Sequence, residues 1–325
     1  MTPQIKNINT TKNLLAFSAG VDSTALFFIL LEKNIPFDIA IVNYNIRKES
    51  KDELLYAKKL ALKYKKNIFI KEVKIENQSN FEKKAREIRY SFFEEIINKN
   101  SYESLITAHQ LNDKLEWFLM QLSKGAGLTE LLSFEERVKK DKYQILKPLI
   151  NISKSKLLEY LEKKDISYFI DKSNFDEKYK RNYFRKNFSN QFIEEFEDGI
   201  RHSFSYLEKD LESLNINNKP LFQEEKLEIF KSLIDGNLNI RIIDKSLKQR
   251  GFLLSSAQRE EILKQKEIVV SHKISISITE KLIYIAPYSK EEMPKKFKEK
   301  CRIKKIPKNI RPYIFEKDLL EKLNY

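Results

Sequence analysis

A chain of 325 residues, 41% of them apolar, is long enough for two domains with real cores, and its lack of any uncharged apolar run of about 18 residues excludes a membrane-spanning helix. The single cysteine, Cys301, rules out an internal disulfide framework, and the first residues lack the apolar core of a signal peptide, so the expected location is cytoplasmic. Lys and Arg number 61 against 47 Asp and Glu, a net charge of +14 that favours a polyanionic partner such as nucleic acid, although a lysine-biased composition gives the same sum.

The first predicted element is a strand over 13–17, followed by the small-residue turn Ser18-Ala19-Gly20-Val21-Asp22-Ser23-Thr24 and a helix over 23–33. Small side chains let backbone N–H groups approach an anion, and a helix start adds unpaired N–H groups and the positive end of its dipole. Neither Gly-x4-Gly-Lys-[Ser/Thr] nor Gly-x-Gly-x-x-Gly occurs here; the turn resembles the Ser-Gly-Gly-x-Asp-Ser loop of the ATP pyrophosphatases, and that resemblance implies a grip for the leaving pyrophosphate. Ser18, Ser23 and Thr24 offer hydroxyls, and Asp22 offers a carboxylate for magnesium or for aligning the reacting groups. A plain strand-turn-helix with a Ser/Asp cap has the same composition.

Strands predicted over 38–44, 67–73 and 104–107 alternate with helices over 50–64, 81–97 and 112–124. Such alternation implies a parallel sheet with its ligand site at the carboxyl ends of the strands. Arg86 and Arg89, three apart on one helix, suit a clamp on phosphate oxygens, with intrahelical pairing of Arg86 to Glu82 as the alternative. His109, Asp113 and Glu116 are spaced to share one helical face. Two acids on adjacent turns call for a cation between them, a metal or an ammonium group, unless the face is merely solvated.

Further along, Lys124-Gly125-Ala126-Gly127 ends one helix and starts another, and Lys147-Pro148-Leu149 leads into a helix over 153–164. The stretch 171–185 reads as a turn and then a basic helix with interleaved aromatics, suited to packing or to RNA contact. After a boundary near 195 the pattern is helical and charged over 190–215, with another helical pair across 224–265. Ile274, Ile276 and Ile278 then alternate with polar residues as a half-buried strand, paired in a hairpin with 281–286. Between 290 and 317, eleven basic and four acidic residues carry half of the chain's net charge.

Taken in order, several blocks resemble the tRNA(Ile)-lysidine synthases, a family of ATP pyrophosphatases. They are the Ser18 to Ser23 loop, Asn43-Tyr44-Asn45-Ile46-Arg47, Ala85-Arg86 with Arg89-Tyr90, and Ala108-His109 with Asp113 and Glu116. Lys124-Gly125-Ala126-Gly127, Pro148-Leu149, and Asp171-x-Ser173-Asn174 with Arg181-Asn182 and Arg185 complete the set. The resemblance spans 12–188, and Ile303-Lys304-Lys305-Ile306-Pro307 with Arg311 is similar to the end of the family's C-terminal tRNA-binding domain. Two positions depart from the pattern. Ala19 stands where the family usually has glycine, a strained choice if its φ is positive, and Tyr44 replaces a usual histidine.

The resemblance implies an α/β fold: a parallel sheet with flanking helices, of the adenine nucleotide alpha hydrolase-like kind, plus a smaller, mostly helical C-terminal region with a short β element. The implied division is a catalytic domain over 1–195, a helical tRNA-binding region over 196–265 and a small basic α+β region over 266–325. The implied reaction uses ATP to adenylate C2 of the wobble cytidine in a tRNA(Ile) with anticodon CAU. Free L-lysine then displaces AMP to give lysidine, which changes codon recognition from AUG to AUA.

Expected roles follow residue by residue. Ser18, Ala19, Gly20, Val21, Asp22 and Ser23 bind ATP, with Mg2+ at Asp22. Asp22, Asp113, Arg86 and Arg89 are catalytic, and His109, Asp113 and Glu116 bind lysine. Arg181, Arg185, Lys295, Lys296, Lys304, Lys305 and Arg311 contact nucleotide or tRNA. No membrane is involved, and a homodimer is allowed. A tRNA thiolase of the same superfamily is disfavoured by the lone cysteine, and a glutamine-dependent amidotransferase by the lack of an N-terminal catalytic cysteine. A catalytically silent tRNA-binding module is disfavoured by the intact loop and acid pair.

Overall fold

The computed structural model describes residues 8, 10–45, 49–73, 81–170, 180–214 and 219–323. Ile46, Arg47 and the Asp171, Ser173 and Asn174 block therefore lie outside the described residues, as does the side chain of Glu82. The chain divides into two compact units, 1–207 and 208–325, whereas the sequence suggested a boundary at 195. That division falls within a helical stretch over 190–213, in which Phe196 departs from helical backbone at φ −128° and ψ 27°, one residue from the boundary suggested by the sequence.

The first unit is built on a six-stranded sheet. Its strands are β1 (Asn13–Ala16), β2 (Asp38–Asn43), β3 (Ile68–Glu72), β4 (Ser104–Ile106), β5 (Arg137–Lys139) and β6 (Gln144–Leu146), in the spatial order β3-β2-β1-β4-β6-β5. All neighbours are parallel except β5, which runs antiparallel to β6 at the edge. The four expected strands are present within a residue or two. β5 and β6 were not anticipated, because three-residue strands such as Arg137-Val138-Lys139 carry too little apolar pattern to register.

The helices are α1 (Val21–Glu32), α2 (Glu49–Lys63), α3 (Phe81–Asn100), α4 (Leu111–Leu122), α5 (Leu128–Leu131) and α6 (Lys154–Lys163). They are followed by α7 (Lys180–Phe184), a π-helical turn over Arg185–Ser189 and α8 (Asn190–Ser213). Alternate strand residues feed two cores. Leu15, Ile39 and Ile41 pack with Phe27, Leu30, Ala57 and Leu161 on the face covered by α1, α2 and α6, and Leu14 and Ala40 pack with Phe92, Phe93 and Ile97 on the α3 face. α1 is apolar nearly all round because it is enclosed on most sides, and Phe27 is fully buried. Burying a side chain of that size contributes roughly 1.5–3 kcal/mol.

The strand order reverses between β1 and β4, since the chain runs outward from β1 through β2 to β3 and then returns to pair β4 with the other side of β1. A crevice opens outside the carboxyl ends of strands at such a reversal. The residues following β1 and β4 are the ones whose chemistry stood out in the sequence.

The second unit holds an antiparallel sheet of β7 (Phe222–Glu224), β8 (Leu227–Lys231), β9 (Glu267–Val270), β10 (Ile274–Ile278) and β11 (Leu282–Pro287), ordered β7-β8-β11-β10-β9. The hairpin of β10 and β11 is as expected, with Ile276 opposite Ile285. The expectation of helix from 224 onward is corrected: β7 and β8 occupy the stretch before α9 (Gly236–Gln249) and α10 (Ser256–Gln265). Their connecting turn places Glu225 and Lys226 at φ 51° and 76°, a conformation usually signalled by Asn or Gly, so the sequence hid the hairpin.

Because β8 pairs with β11, residues on both sides of 265 build one sheet and do not form two consecutive regions. α9 and α10 cover one face through Ile243, Leu247 and Ile262. α11 (Lys295–Ile303) and α12 (Arg311–Glu316) cover the other through Cys301, Ile310 and Ile314. β10 is consequently buried on both faces, with Ser277 donating to Asn309 Oδ1 at 2.5 Å.

Candidate active site

The turn after β1 departs from ordinary backbone at one residue. Ala19 takes φ 59° with its side chain fully buried, so the left-handed conformation falls on the alanine and not on Gly20, whose φ is −75°. The Ala19 carbonyl accepts the Phe169 N–H at 3.0 Å, and Gly20 forms an isolated parallel bridge with Phe169. Ser23 closes the loop: its hydroxyl accepts from the Ser18 N–H at 3.2 Å, lies 3.1 Å from Ser18 Oγ and donates to the Gly20 carbonyl at 3.2 Å. No side chain caps the first turn of α1, so its N–H groups remain available to an anion.

Asp22 sits in that first turn with Oδ1 buried and without a hydrogen-bond partner among the described residues. Burial and the nearby charge of Asp113 push its carboxyl up to about 7, against the opposing pull of Lys154 and Arg185. A carboxylate held this way is completed by a cation, and Mg2+ characteristically joins one or two carboxylates to substrate phosphates. The residues present fit that ion at Asp22.

α4 opens with a reciprocal cap: Gln110 Oε1 accepts the Asn112 N–H at 2.5 Å, and Asp113 Oδ2 accepts the Gln110 N–H at 3.0 Å. The helix therefore begins at Leu111, and His109 precedes its cap. This corrects the expectation that His109, Asp113 and Glu116 share a helical face; only the two acids are on the helix.

A cation between the acids is supplied by the chain itself, where the sequence left it open as a metal or an ammonium group from outside. Arg181 donates through Nε to Glu116 Oε2 at 2.8 Å and through a terminal nitrogen to Asp113 Oδ1. Arg185 donates through Nε to Glu116 Oε1 at 2.6 Å and through Nη2 to Glu116 Oε2 at 3.2 Å and Asp113 Oδ1 at 3.4 Å. Glu116 is 1% exposed. Burial is the largest influence and alone would raise the Asp113 carboxyl, but the charges of Arg181, His109 and Arg185 together with the Gln110 N–H outweigh it and hold the group below the usual range. The same acids drive the Arg181 guanidinium upward against its own burial. No group of three His, Cys, Asp or Glu able to hold a metal occurs among the described residues.

A second cluster lies at the ends of β4 and β6. His109 Nδ1 is 2.9 Å from Thr107 Oγ1, and its ring meets Phe134 edge-on at 5.3 Å. Burial pulls the imidazole down to about 4, so it is neutral near pH 7. Lys147 Nζ lies 5.0 Å from the Phe134 ring centre and donates to the Glu135 carbonyl at 2.5 Å. Burial lowers its ammonium to about 8. Sequence reasoning gave Lys147 no role, though a lysine placed directly between an apolar strand and a proline was the available signal.

Arg86 and Arg89 stand on α3 as expected. The Arg86 guanidinium covers Tyr90 at 4.6 Å, and its charge helps to depress both His109 and Lys147. Tyr44 donates its hydroxyl to the Ala85 carbonyl at 2.8 Å, and the nearby Arg89 charge opposes the upward push of burial on that phenol. Tyr44 thus ties the end of β2 to the turn of α3 that carries the arginine pair.

In the second unit the five basic candidates separate into two kinds. Lys304 Nζ donates to the Leu320 and Leu323 carbonyls, both at 3.1 Å, and Arg311 Nε donates to the Ile306 carbonyl at 2.8 Å, so these two close backbone. Lys295, Lys296 and Lys305 are exposed.

The PP-loop domain family matches residues 1–192. The chain is similar to the tRNA(Ile)-lysidine synthase of Campylobacter jejuni (strain RM1221), at 48% identity over 94% of this chain and 92% of the relative. It is similar also to that of Wolinella succinogenes, at 43% identity over 94% and 93% respectively. Among solved structures, the U34-tRNA thiolase NcsA from Methanococcus maripaludis with its [4Fe-4S] cluster superposes with a TM-score of 0.51 at 20% identity, covering 63% of this chain and 74% of that one. This last likeness concerns the fold alone.

Proposed function

The chain belongs to the tRNA(Ile)-lysidine synthases, and from that premise we propose how its residues divide the two half-reactions between them. The enzyme is an ATP-dependent ligase that converts the wobble cytidine of the CAU anticodon of tRNA(Ile) to lysidine. In the first half-reaction the C2 oxygen of cytidine attacks the α-phosphorus of ATP, and the bond to pyrophosphate breaks. In the second the ε-amine of lysine attacks C2, the C–O bond breaks and AMP departs.

The uncapped first turn of α1 and the hydroxyls of Ser18 and Ser23 receive the departing pyrophosphate, in the place where N–H groups and the helix dipole favour negative charge. Asp22 would hold Mg2+, which when bound neutralises phosphate charge. Arg86 and Arg89, on the helix anchored by Tyr44, face charge that develops on the nucleotide. His109 stays neutral and lends Nε2 for hydrogen bonding to the pyrimidine or the amino acid.

The observation that carries the lysine half of this reading is the cluster of Asp113, Glu116, Arg181 and Arg185. Free lysine bears one carboxylate and two ammonium groups. A balanced set of two carboxylates and two guanidiniums matches both signs, by exchanging partners with the incoming zwitterion instead of leaving a buried charge unpaired. The lone cysteine, Cys301, is buried among apolar residues of the second unit and offers no sulfur relay.

The test is incorporation of labelled lysine into a tRNA(Ile) transcript bearing CAU, with ATP present and then omitted. Label that requires ATP, accompanied by AMP and pyrophosphate, supports the reading. Pyrophosphate release on tRNA without label would keep the adenylating half and assign a different nucleophile.

A further inference from the structure

The basic, aromatic-rich stretch beginning at Lys180 does two jobs on two faces. Arg181 and Arg185, one helical turn apart, are turned to Asp113 and Glu116 while remaining partly exposed, and Asn182 and Ser189 are buried. Tyr183 and Phe188 are instead 46% and 45% exposed. They form a compact aromatic group with Phe184: ring centres lie 6.0 Å apart for Tyr183 and Phe184, 5.8 Å for Tyr183 and Phe188, and 5.5 Å for Phe184 and Phe188.

The π-helical turn over Arg185–Ser189 makes this arrangement possible. Inserting one extra residue per turn moves Phe188 off the buried face it would share with Arg181 and Arg185 in a regular helix and brings it beside Tyr183. π turns of this kind recur at functional sites. Isolated exposed aromatics need no explanation, but three in mutual contact beside a reaction centre do.

We propose that Tyr183 and Phe188 form a stacking platform for unpaired bases of the tRNA anticodon loop next to the target cytidine, an inference that rests on the function proposed above. Three observations select RNA as the occupant. Beyond Arg181 and Arg185, whose charge is balanced by the two acids, Lys180 and Lys186 add positive charge to a stretch with no acid from Lys180 to Ile193, and Lys180 lies 5.8 Å from the Phe184 ring. The patch is continuous with Arg181 and Arg185, so bases resting on it sit one helical turn from the acid cluster. It also ends where the charge changes sign, at Glu194, Glu195, Glu197 and Asp198, a stretch that repels phosphate. Single-stranded loops are recognised by stacking on aromatic side chains, because every base presents a π face.

The experiment measures binding of an anticodon stem-loop carrying CAU to the full-length protein and to Tyr183→Ala, Phe188→Ala and the double variant, over a range of salt concentrations. Each alanine is expected to weaken binding by about tenfold with the salt dependence unchanged, since stacking is removed while the phosphates keep their basic partners. Phe188→Trp is expected to restore binding, which a merely structural role would not produce. A stem-loop with abasic sites flanking the cytidine should bind wild-type protein as weakly as the double variant and should lose little more with the variant.

Unchanged affinity in folded alanine variants overturns the proposal, as does an equal loss on abasic and intact loops. A changed sedimentation coefficient with unchanged RNA affinity assigns the patch to a second copy of the chain and also overturns it. Lysine incorporation by the unaltered protein is run in parallel: its failure counts against the function, whereas normal incorporation with insensitive binding counts against the platform alone.

Discussion

Arg181 Nε meets Glu116 Oε2 at 2.8 Å, joining α7 to α4 across 65 residues of sequence, with Glu116 almost wholly buried. Removing the acid leaves two guanidiniums sharing Asp113. Glu116→Ala is expected to destabilise the protein by about 3 kcal/mol, read as a lower urea midpoint. Replacing Glu116 and Arg185 together by methionine should recover part of that loss, because neither charge is then stranded. Additive losses in the double variant would show that the two side chains act independently.

Asp113→Asn is expected to raise the KM for lysine at least tenfold while changing the KM for ATP by less than about threefold, each ratio converting at about 1.4 kcal/mol per decade. Asparagine retains the acceptor for the Gln110 N–H that closes the α4 cap, so the fold should survive. Equal effects on both substrates would remove Asp113 from lysine binding.

Ala19 at φ 59° bears a conformation that costs an L-residue about 1–2 kcal/mol, part of which glycine returns through the greater entropy of its unfolded chain. Ala19→Gly is therefore expected to stabilise the protein by about 0.5–1 kcal/mol, seen as a rise in thermal midpoint. Gly20→Ala, at an ordinary φ where an added Cβ would meet Ser18 Oγ at 3.5 Å, should be nearly neutral for stability.

Asp22 gives a pH dependence of definite sign. With its carboxyl near 7 in the folded protein and near 3.9 unfolded, the folded state binds the extra proton between those values, so metal-free stability falls as pH rises from about 4 to 7. Asp22→Asn should flatten that slope and abolish activity. Mg2+ added near pH 7 with ATP should release more protons with wild-type protein than with the variant, the excess over MgATP formation alone being measured by calorimetry in buffers of different ionisation enthalpy.

Charge reversal at Lys295, Lys296 and Lys305 is expected to weaken tRNA binding and to reduce its salt slope by about one for each phosphate no longer neutralised. Lys304→Gln and Arg311→Gln should chiefly lower stability, since those side chains close the carbonyls of Leu320 and Leu323 and of Ile306 respectively. Unchanged RNA affinity in the reversed variants would leave the patch as solubility charge.

The parallel sheet and its loop were legible because β1, β2 and β4 are apolar runs and the turn after β1 is a local sequence of small residues and hydroxyls. Partnerships across distance were not. Nothing in the spacing of Asp113 and Glu116 says that Arg181 and Arg185 fill the space between them. The hairpin of β7 and β8 was hidden by a Glu225-Lys226 turn without glycine or asparagine, and the cap at Gln110 excluded His109 from a helix that periodicity alone extends to include it.

Trp117 is the only tryptophan in the chain, and its indole stacks on Phe134 at 6.0 Å and 27°, on the ring that also touches His109 and Lys147. Its Nε1 donates to Ser133 Oγ at 3.1 Å. Emission excited at the red edge, beyond the absorption of the fifteen tyrosines, thus reports on one address in the molecule, the strip around Phe134. Occupancy by ATP, lysine or RNA can be followed in real time through that single chromophore, with no dye to attach and no second indole to subtract.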